Sequence, residues 1–280
     1  MLKAEHDLSF LRMNQRPAKP ATMGITEVRG PFYNTFGPAH LDDYLVAAAP
    51  FVDWVKIPAP SVILLPPEVQ RKYIDVCHAH DVEAGAGGAI EWVVTRGAEA
   101  VERYFEAIKA IGYDVVEVSA GMLAIPDGDF VRLVRRAKAT GLKVKAEVGI
   151  QFGAGGTSSE GELERAGSLP VNWAIKRAVT ALDAGADYIV LESEGVTESV
   201  TTWRTDVPAA FVAELGLERI VFEAADPSVY AWYIKTFGPE VNLFIDQSQA
   251  IHLESLRSGV WGTSDLWGRI VTYKTEPGEK

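Results

Sequence analysis

The sequence predicts an α/β protein folded as a single (β/α)8 TIM barrel. Three observations predict it. Eight short apolar runs rich in β-branched residues recur along the chain, mostly about 30 residues apart, the length of one βα unit. An amphipathic stretch of helical period separates each run from the next. Several of those stretches end in Gly just before the following run, the left-handed stop that closes a helix, as at Gly112, Gly141 and Gly185.

In chain order the predicted strands are 25–29, 53–58, 82–87, 115–120, 143–149, 188–193, 219–224 and 241–246. The predicted helices are 42–49, 67–80, 98–111, 129–140, 172–184, 207–215, 228–237 and 252–258. Eight strands alternating with eight helices close into a barrel. An open doubly wound sheet is the competing arrangement, but it carries a GxGxxG turn after its first strand, and GPFYNTFG after Arg29 lacks that pattern. Three segments lie outside the repeat. Residues 1–22 form an N-terminal arm, expected against the barrel bottom or a neighbour, and 23–262 form the barrel. Within it the Gly/Ser-rich stretch 149–170 leaves the C-terminal face, as an active-site lid or a tolerated insertion. Residues 263–280 are a C-terminal tail.

Composition narrows the function classes. The 38 Asp and Glu outnumber 27 Lys and Arg, a net charge of -11, which argues against nucleic acid or an anionic membrane as partner. A small anionic substrate stays compatible, because a local pocket can oppose the global charge. A single cysteine, Cys77, excludes an intrachain disulfide and a cysteine-rich zinc site. No run of 18 apolar residues is present, and the first 20 residues lack the apolar stretch of a secretory signal, so a cytoplasmic protein is expected. Trp261 and Trp267, following the last helix, predict a homo-oligomeric contact.

The ends of the strands carry the chemistry, since they face the reaction in a barrel. Glu117, Glu147, Glu192 and Glu223 each interrupt an otherwise apolar strand. Burying unpaired carboxylates costs several kcal/mol, so the four must share protons, cationic side chains or a metal. A hard divalent cation such as Mg2+ prefers oxygen ligands, and these four are the predicted ligands. The alternative is an ion network with Arg29, Lys56 and Lys145. Strand alternation puts Lys145 on the side of Glu147, as its expected counter-ion, while Lys56 is expected to meet substrate or move a proton. Arg29 is expected to grip an anion through paired hydrogen bonds, with Ser119, Gln151 and Asp246 nearby at other strand ends. Gly87 and Gly88 end a Gly-rich turn whose N–H groups either hold a phosphate or serve tight packing. His78 and His80, two apart on a helix, do not share a face and make a poor metal pair.

Several of these segments carry a family resemblance. Asp53-Trp-Val-Lys56, Val116-Glu-Val-Ser119, Glu147-Val-Gly149, Phe222-Glu-Ala224, FGPEVNL at 237–243 and LESLRSG at 253–259 resemble the phosphosulfolactate synthase family, over about 24–263. The resemblance implies a barrel lyase of coenzyme M biosynthesis that adds sulfite to phosphoenolpyruvate with Mg2+ and no organic cofactor. It implies a lysine as the general acid, matched here by Lys56; Glu147 and Lys145 are the further catalytic candidates among the strand-end residues. The periphery differs. Arg29 stands where the family has Asp, and Ile150-Gln151 follows Glu147-Val-Gly149 where the family carries a lysine often assigned as the acid. The differences leave two alternatives beside sulfite addition: another metal-assisted enolisation, isomerisation or decarboxylation, or a non-catalytic stress-related barrel.

Overall fold

The computed structural model describes residues 11, 13–154, 158–224 and 226–261. Its strands are β1 (Thr26–Arg29), β2 (Trp54–Ile57), β3 (Glu83–Ala86), β4 (Val115–Val118), β5 (Lys143–Val148), β6 (Tyr188–Leu191), β7 (Ile220–Glu223) and β8 (Asn242–Ile245). They pair in sequence order, all parallel, and β8 closes on β1 through Thr26↔Leu243 and Val28↔Ile245. Closure leaves no sheet edge, so every strand is hydrogen-bonded to a neighbour on both sides.

Period-2 alternation sorts the strand residues. Ile25, Trp54, Val190, Val221 and Phe244 pack in a cluster inside the barrel. Val28, Val55, Val116, Val118, Ala146 and Leu191 point outward into the main core with the helices. Helices Pro38–Ala48, Pro67–Ala79, Ala98–Ile111, Asp127–Ala139, Val171–Asp183, Asp206–Leu215, Pro227–Phe237 and Ala250–Arg257 occupy the eight expected places. The first starts four residues earlier than expected because Pro38 supplies a preset φ at its first turn. Gly112 takes φ 115° at the end of Ala98–Ile111, a conformation that a residue with a Cβ rarely adopts.

Three short helices were not anticipated: Ala59–Leu64, Ile90–Val94 and Glu160–Ala166. The last lies inside the Gly/Ser-rich stretch 149–170 and begins with a capping box between Ser159 and Glu162. Residues 155–157 of that stretch, residues 1–10 and 12 of the arm, the whole tail 263–280 and with it Trp267 lie outside the described residues. The described arm runs along the N-terminal end of the barrel. Arg16 pairs with Asp53 (3.5 Å) and Glu254 (3.0 Å), and the Lys19 ammonium donates to the carbonyls of Ala49 and Val52. Among the described residues no helix is long and apolar enough to cross a membrane.

Candidate active site

Inside the barrel, charged side chains form a ladder rising toward the C-terminal mouth. Glu27 and Lys145 lie on β1 and β5, opposite walls of an eight-strand cylinder, and both are buried. The Lys145 ammonium donates to both Glu27 oxygens at 2.5 and 2.6 Å and stands 3.3 Å from Glu117 Oε2. Glu117, the cross-strand partner of Lys145, in turn accepts from Lys56 Nζ at 3.1 Å and from the Gly88 N–H at 3.1 Å. Lys56 Nζ sits 3.8 Å from the centre of the Phe244 ring.

The ladder fixes protonation. Burial works against ionised Glu117, but Lys56 and Lys145 outweigh it and hold the carboxyl down at about 2. Burial works against the Lys56 ammonium as well, and Glu117, Glu223, Glu27 and Glu147 overcome it, raising the lysine above its ordinary value. This geometry corrects one expectation: Lys145 is held by Glu27 and Glu117, not by Glu147. Wholly buried and paired twice, it is placed as a structural strut below the mouth rather than as a group that meets substrate.

Above the ladder, Glu147, Glu192 and Glu223 each bring a carboxylate oxygen within 4.8 Å of the others. Arg29 stands 3.4 Å from Glu223 Oε1, and the Glu194 N–H donates to Glu192 at 3.0 Å. Neither satisfies the group. Burial first, then the charges of Glu117 and Glu192, push the Glu147 carboxyl well above the usual carboxylate range. Burial first, then Glu223, does the same to Glu192. Glu223 is raised too, by burial that Lys56 and Arg29 only partly offset. Three mutually close carboxylates short of positive charge form an all-oxygen donor set suited to a hard divalent cation. Glu117, expected as a fourth ligand, stands outside this group because two lysines hold it.

The sequence profile of (2R)-phospho-3-sulfolactate synthase matches residues 14–263, nearly the whole described chain. The chain belongs to the phosphosulfolactate synthase family. Protein HEAT-STRESS-ASSOCIATED 32 of Arabidopsis thaliana is 31% identical over 259 residues, covering 89% of this chain and 91% of the relative. A phosphosulfolactate synthase of Methanothermobacter thermautotrophicus is 26% identical over 262 residues, covering 91% and 95%. Among solved structures, a putative fructose-1,6-biphosphate aldolase from Coccidioides immitis superposes with a TM-score of 0.57 at 13% identity, covering 89% and 86%. Phosphonopyruvate hydrolase superposes at 0.51 with 16% identity, covering 82% and 78%. Those two likenesses concern the fold alone. Family membership places the chain among lyase-type enzymes, with the reaction open.

Where this member of the phosphosulfolactate synthase family departs from the expected pattern, side chains are committed elsewhere. Ile150, in the Ile150-Gln151 pair that stands where the family carries its lysine, is fully buried in the apolar core. Gln151 spends its amide N–H groups on the carbonyls of Leu163 (2.7 Å) and Gly167 (2.6 Å), pinning the 149–170 segment. Gly87 donates to the Ile57 carbonyl (2.8 Å) and Gly88 to Glu117, so the Gly-rich turn packs strands rather than presenting those N–H groups to a phosphate. Asp246 caps the turn at Ser248 (3.0 Å). Arg29 lies over Tyr33 and Phe244 at the mouth, with Glu223 as its partner.

A cavity of about 400 Å³ opens beside Glu147 and Glu192, between the segments that follow β4 and β5. Its wall 120–125 is held by a residue that sequence patterning did not single out. Glu91, buried on the short helix Ile90–Val94, accepts from Ser119 Oγ (2.7 Å) and the N–H groups of Gly121 (3.2 Å), Met122 (2.8 Å) and Leu123 (2.9 Å). Ser119, expected at substrate, instead donates to Glu91. Arg177, which also lines the cavity, was not singled out either. The signal was present: on helix Val171–Asp183 it shares the buried face with Ala174, Ala178 and Ala181, an unusual place for a guanidinium. Glu27 was equally legible, two residues before Arg29 and so on the same side of β1.

Proposed function

We propose that the chain is a lyase-type enzyme acting beside the carboxylate of a small organic acid, with a divalent cation, Mg2+ first, held by Glu147, Glu192 and Glu223. The observation that carries this reading is the imbalance of charge at the mouth. Within the ladder and the carboxylate trio, five acids (Glu27, Glu117, Glu147, Glu192 and Glu223) face three cations (Arg29, Lys56 and Lys145). The two missing positive charges correspond to one divalent ion. When bound, such an ion would supply charge stabilisation for an enolate-like species.

The chain's own residues do the rest. The ladder of Glu27, Lys145, Glu117 and Lys56 sets the floor of the site and keeps Lys56 charged beside the three acids. A fixed ammonium there lowers the energy of negative charge developing on the substrate without giving up its proton. Arg29 restrains Glu223 at the mouth, and the Glu91-held segment 119–123 shapes the cavity wall. The non-catalytic alternative, which a stress-associated relative keeps open, leaves the uncompensated acids without a purpose, because burying them only lowers stability.

The reaction implied by the family is the first to test: sulfite with phosphoenolpyruvate and Mg2+, product followed by phosphorus NMR, against Glu147→Gln. A Glu147-dependent product supports the reading in full. Calorimetric Mg2+ binding that Glu147→Gln abolishes, without product, supports the centre and moves the substrate elsewhere among small acids. A chain that binds no divalent ion and forms no product overturns it.

A further inference from the structure

The cavity that opens beside Glu147 and Glu192 has a second pole, and it is cationic. Arg177 reaches it from helix Val171–Asp183 and is 8% exposed. Its guanidinium donates to the Ile125 carbonyl at 3.1 Å and stands 3.4 Å from Asp127, an acid that is itself half exposed. The ring centres of Phe130 and Trp173 lie 4.2 and 5.1 Å from the guanidinium carbon, which packs over both rings. Five N–H donors on a planar fork are suited to paired bonds with a carboxylate. Burial outweighs the attraction of Asp127 and Glu91 and lowers the arginine's pKa, so the charge is under-compensated where it stands.

We propose that Arg177 is a carboxylate-binding residue of this cavity, and that its ligand is a monocarboxylate with a short apolar body. Three features select that class over a phosphate ester. Among the described residues Arg177 is the one cationic side chain lining the cavity, a single fork that matches one carboxylate and leaves the second charge of a phosphate without a cationic side chain. Leu123, Ile125, Phe152, Leu169 and Trp173 offer carbon surface to the body of the ligand rather than donors. The neighbouring recess beyond β6 and β7 is lined by Glu198 and Asp226 and is no better suited to a phosphate.

This inference rests on the lyase reading above, and its test separates the two. Calorimetric titration with 2-oxobutyrate, butyrate, phosphoenolpyruvate and inorganic phosphate is run on the native chain, Arg177→Met and Arg177→Lys. Native protein is expected to bind 2-oxobutyrate and butyrate more tightly than either phosphate compound. Arg177→Met should weaken the monocarboxylates by at least about tenfold, and Arg177→Lys, which keeps the charge but loses the fork, by less. Mg2+ binding should be the same in all three proteins, showing that the folded carboxylate trio is intact. Should Arg177→Met not fold, weaker monocarboxylate binding in Arg177→Lys with unchanged Mg2+ binding supports the assignment in its place. Monocarboxylate binding indifferent to both substitutions, or absent from the native chain, or weaker than phosphoenolpyruvate binding, overturns the assignment. If Mg2+ binding survives in that event, the metal centre of the lyase reading stands.

Discussion

Lys145 and Glu27 meet across the full width of the barrel, from β5 and β1, with both carboxylate oxygens 2.5–2.6 Å from one ammonium. Both side chains are 1% exposed. An ion pair this deep gains little over an apolar core of the same volume, but breaking it strands a charge. Its consequence is positional: Lys145 is held where it neutralises Glu117 from below, and Glu117 then holds Lys56 from above.

Removing both partners should therefore hurt less than the two single losses added together. Glu27→Leu and Lys145→Met are each expected to lose about 3–5 kcal/mol, the usual scale for an uncompensated buried charge. The double variant should lose clearly less than their sum in urea unfolding. Additive losses would show that the two side chains do not act as a pair.

Protons and Mg2+ should compete for the three acids. Glu147 and Glu192 carry raised carboxyls, so the folded chain binds protons that the unfolded chain gives up. Their contribution is full below the unfolded carboxylate value of about 4.3 and is lost as pH climbs through the folded values. Metal-free protein should melt at progressively lower temperature from about pH 5 to about pH 8, and Mg2+ should flatten that slope by replacing the protons. Glu117 has the opposite sign: its stabilisation is present above the unfolded value and fades as pH falls toward about 2. A metal-free melting temperature independent of pH between about 5 and 8 would count against raised acids at the mouth.

Glu91 should behave as the positioning residue of the cavity wall. Glu91→Ala leaves three backbone N–H groups without their acceptor and the Ser119 hydroxyl with the Gly88 carbonyl at 3.3 Å, a loss of roughly 2–3 kcal/mol if water only partly replaces the carboxylate. Amide hydrogen exchange at Gly121, Met122 and Leu123 should quicken selectively while β4 itself stays protected. Uniform acceleration across the barrel would mean a global effect instead.

The barrel was legible because each βα unit repeats two periods, about 2 and 3.6 residues, that any apolar pattern exposes. The acids of β4 to β7 were legible for the same reason: a Glu inside Val-Val-Glu-Val or Ile-Val-Phe-Glu breaks the pattern. Pairing across the barrel was not. Lys145 lies two residues from Glu147 in sequence, yet its ammonium spans the interior to β1, a distance that local alternation does not measure. The short helices Ile90–Val94 and Glu160–Ala166 span five and seven residues, too few to show a helical period. Both bear on the site, the first through Glu91 and the second through the carbonyl of Leu163 that holds Gln151.

Lys56 provides the last test, because sequence position suggests a proton donor and the structure gives it a different character. A general acid works best with a pKa near the working pH. Glu117, Glu223, Glu27 and Glu147 together raise Lys56 above the ordinary lysine value despite burial, so it keeps its proton at any physiological pH. It is then a fixed charge beside the metal-competent acids, and like charges repel. Lys56→Met should tighten Mg2+ binding by at least about tenfold, since one positive charge leaves the neighbourhood of a divalent ion. Glu117 keeps Lys145 and the Gly88 N–H, so the folded state should survive the change. Turnover, once a substrate is in hand, should fall by roughly 100-fold in Lys56→Met and recover in part in Lys56→Arg, with the pH profile unaltered. An arginine cannot serve as the titrating donor, so partial rescue separates fixed charge from proton transfer. Loss of activity as complete in Lys56→Arg as in Lys56→Met, together with loss of the alkaline limb of the native profile, would return Lys56 to the role of general acid.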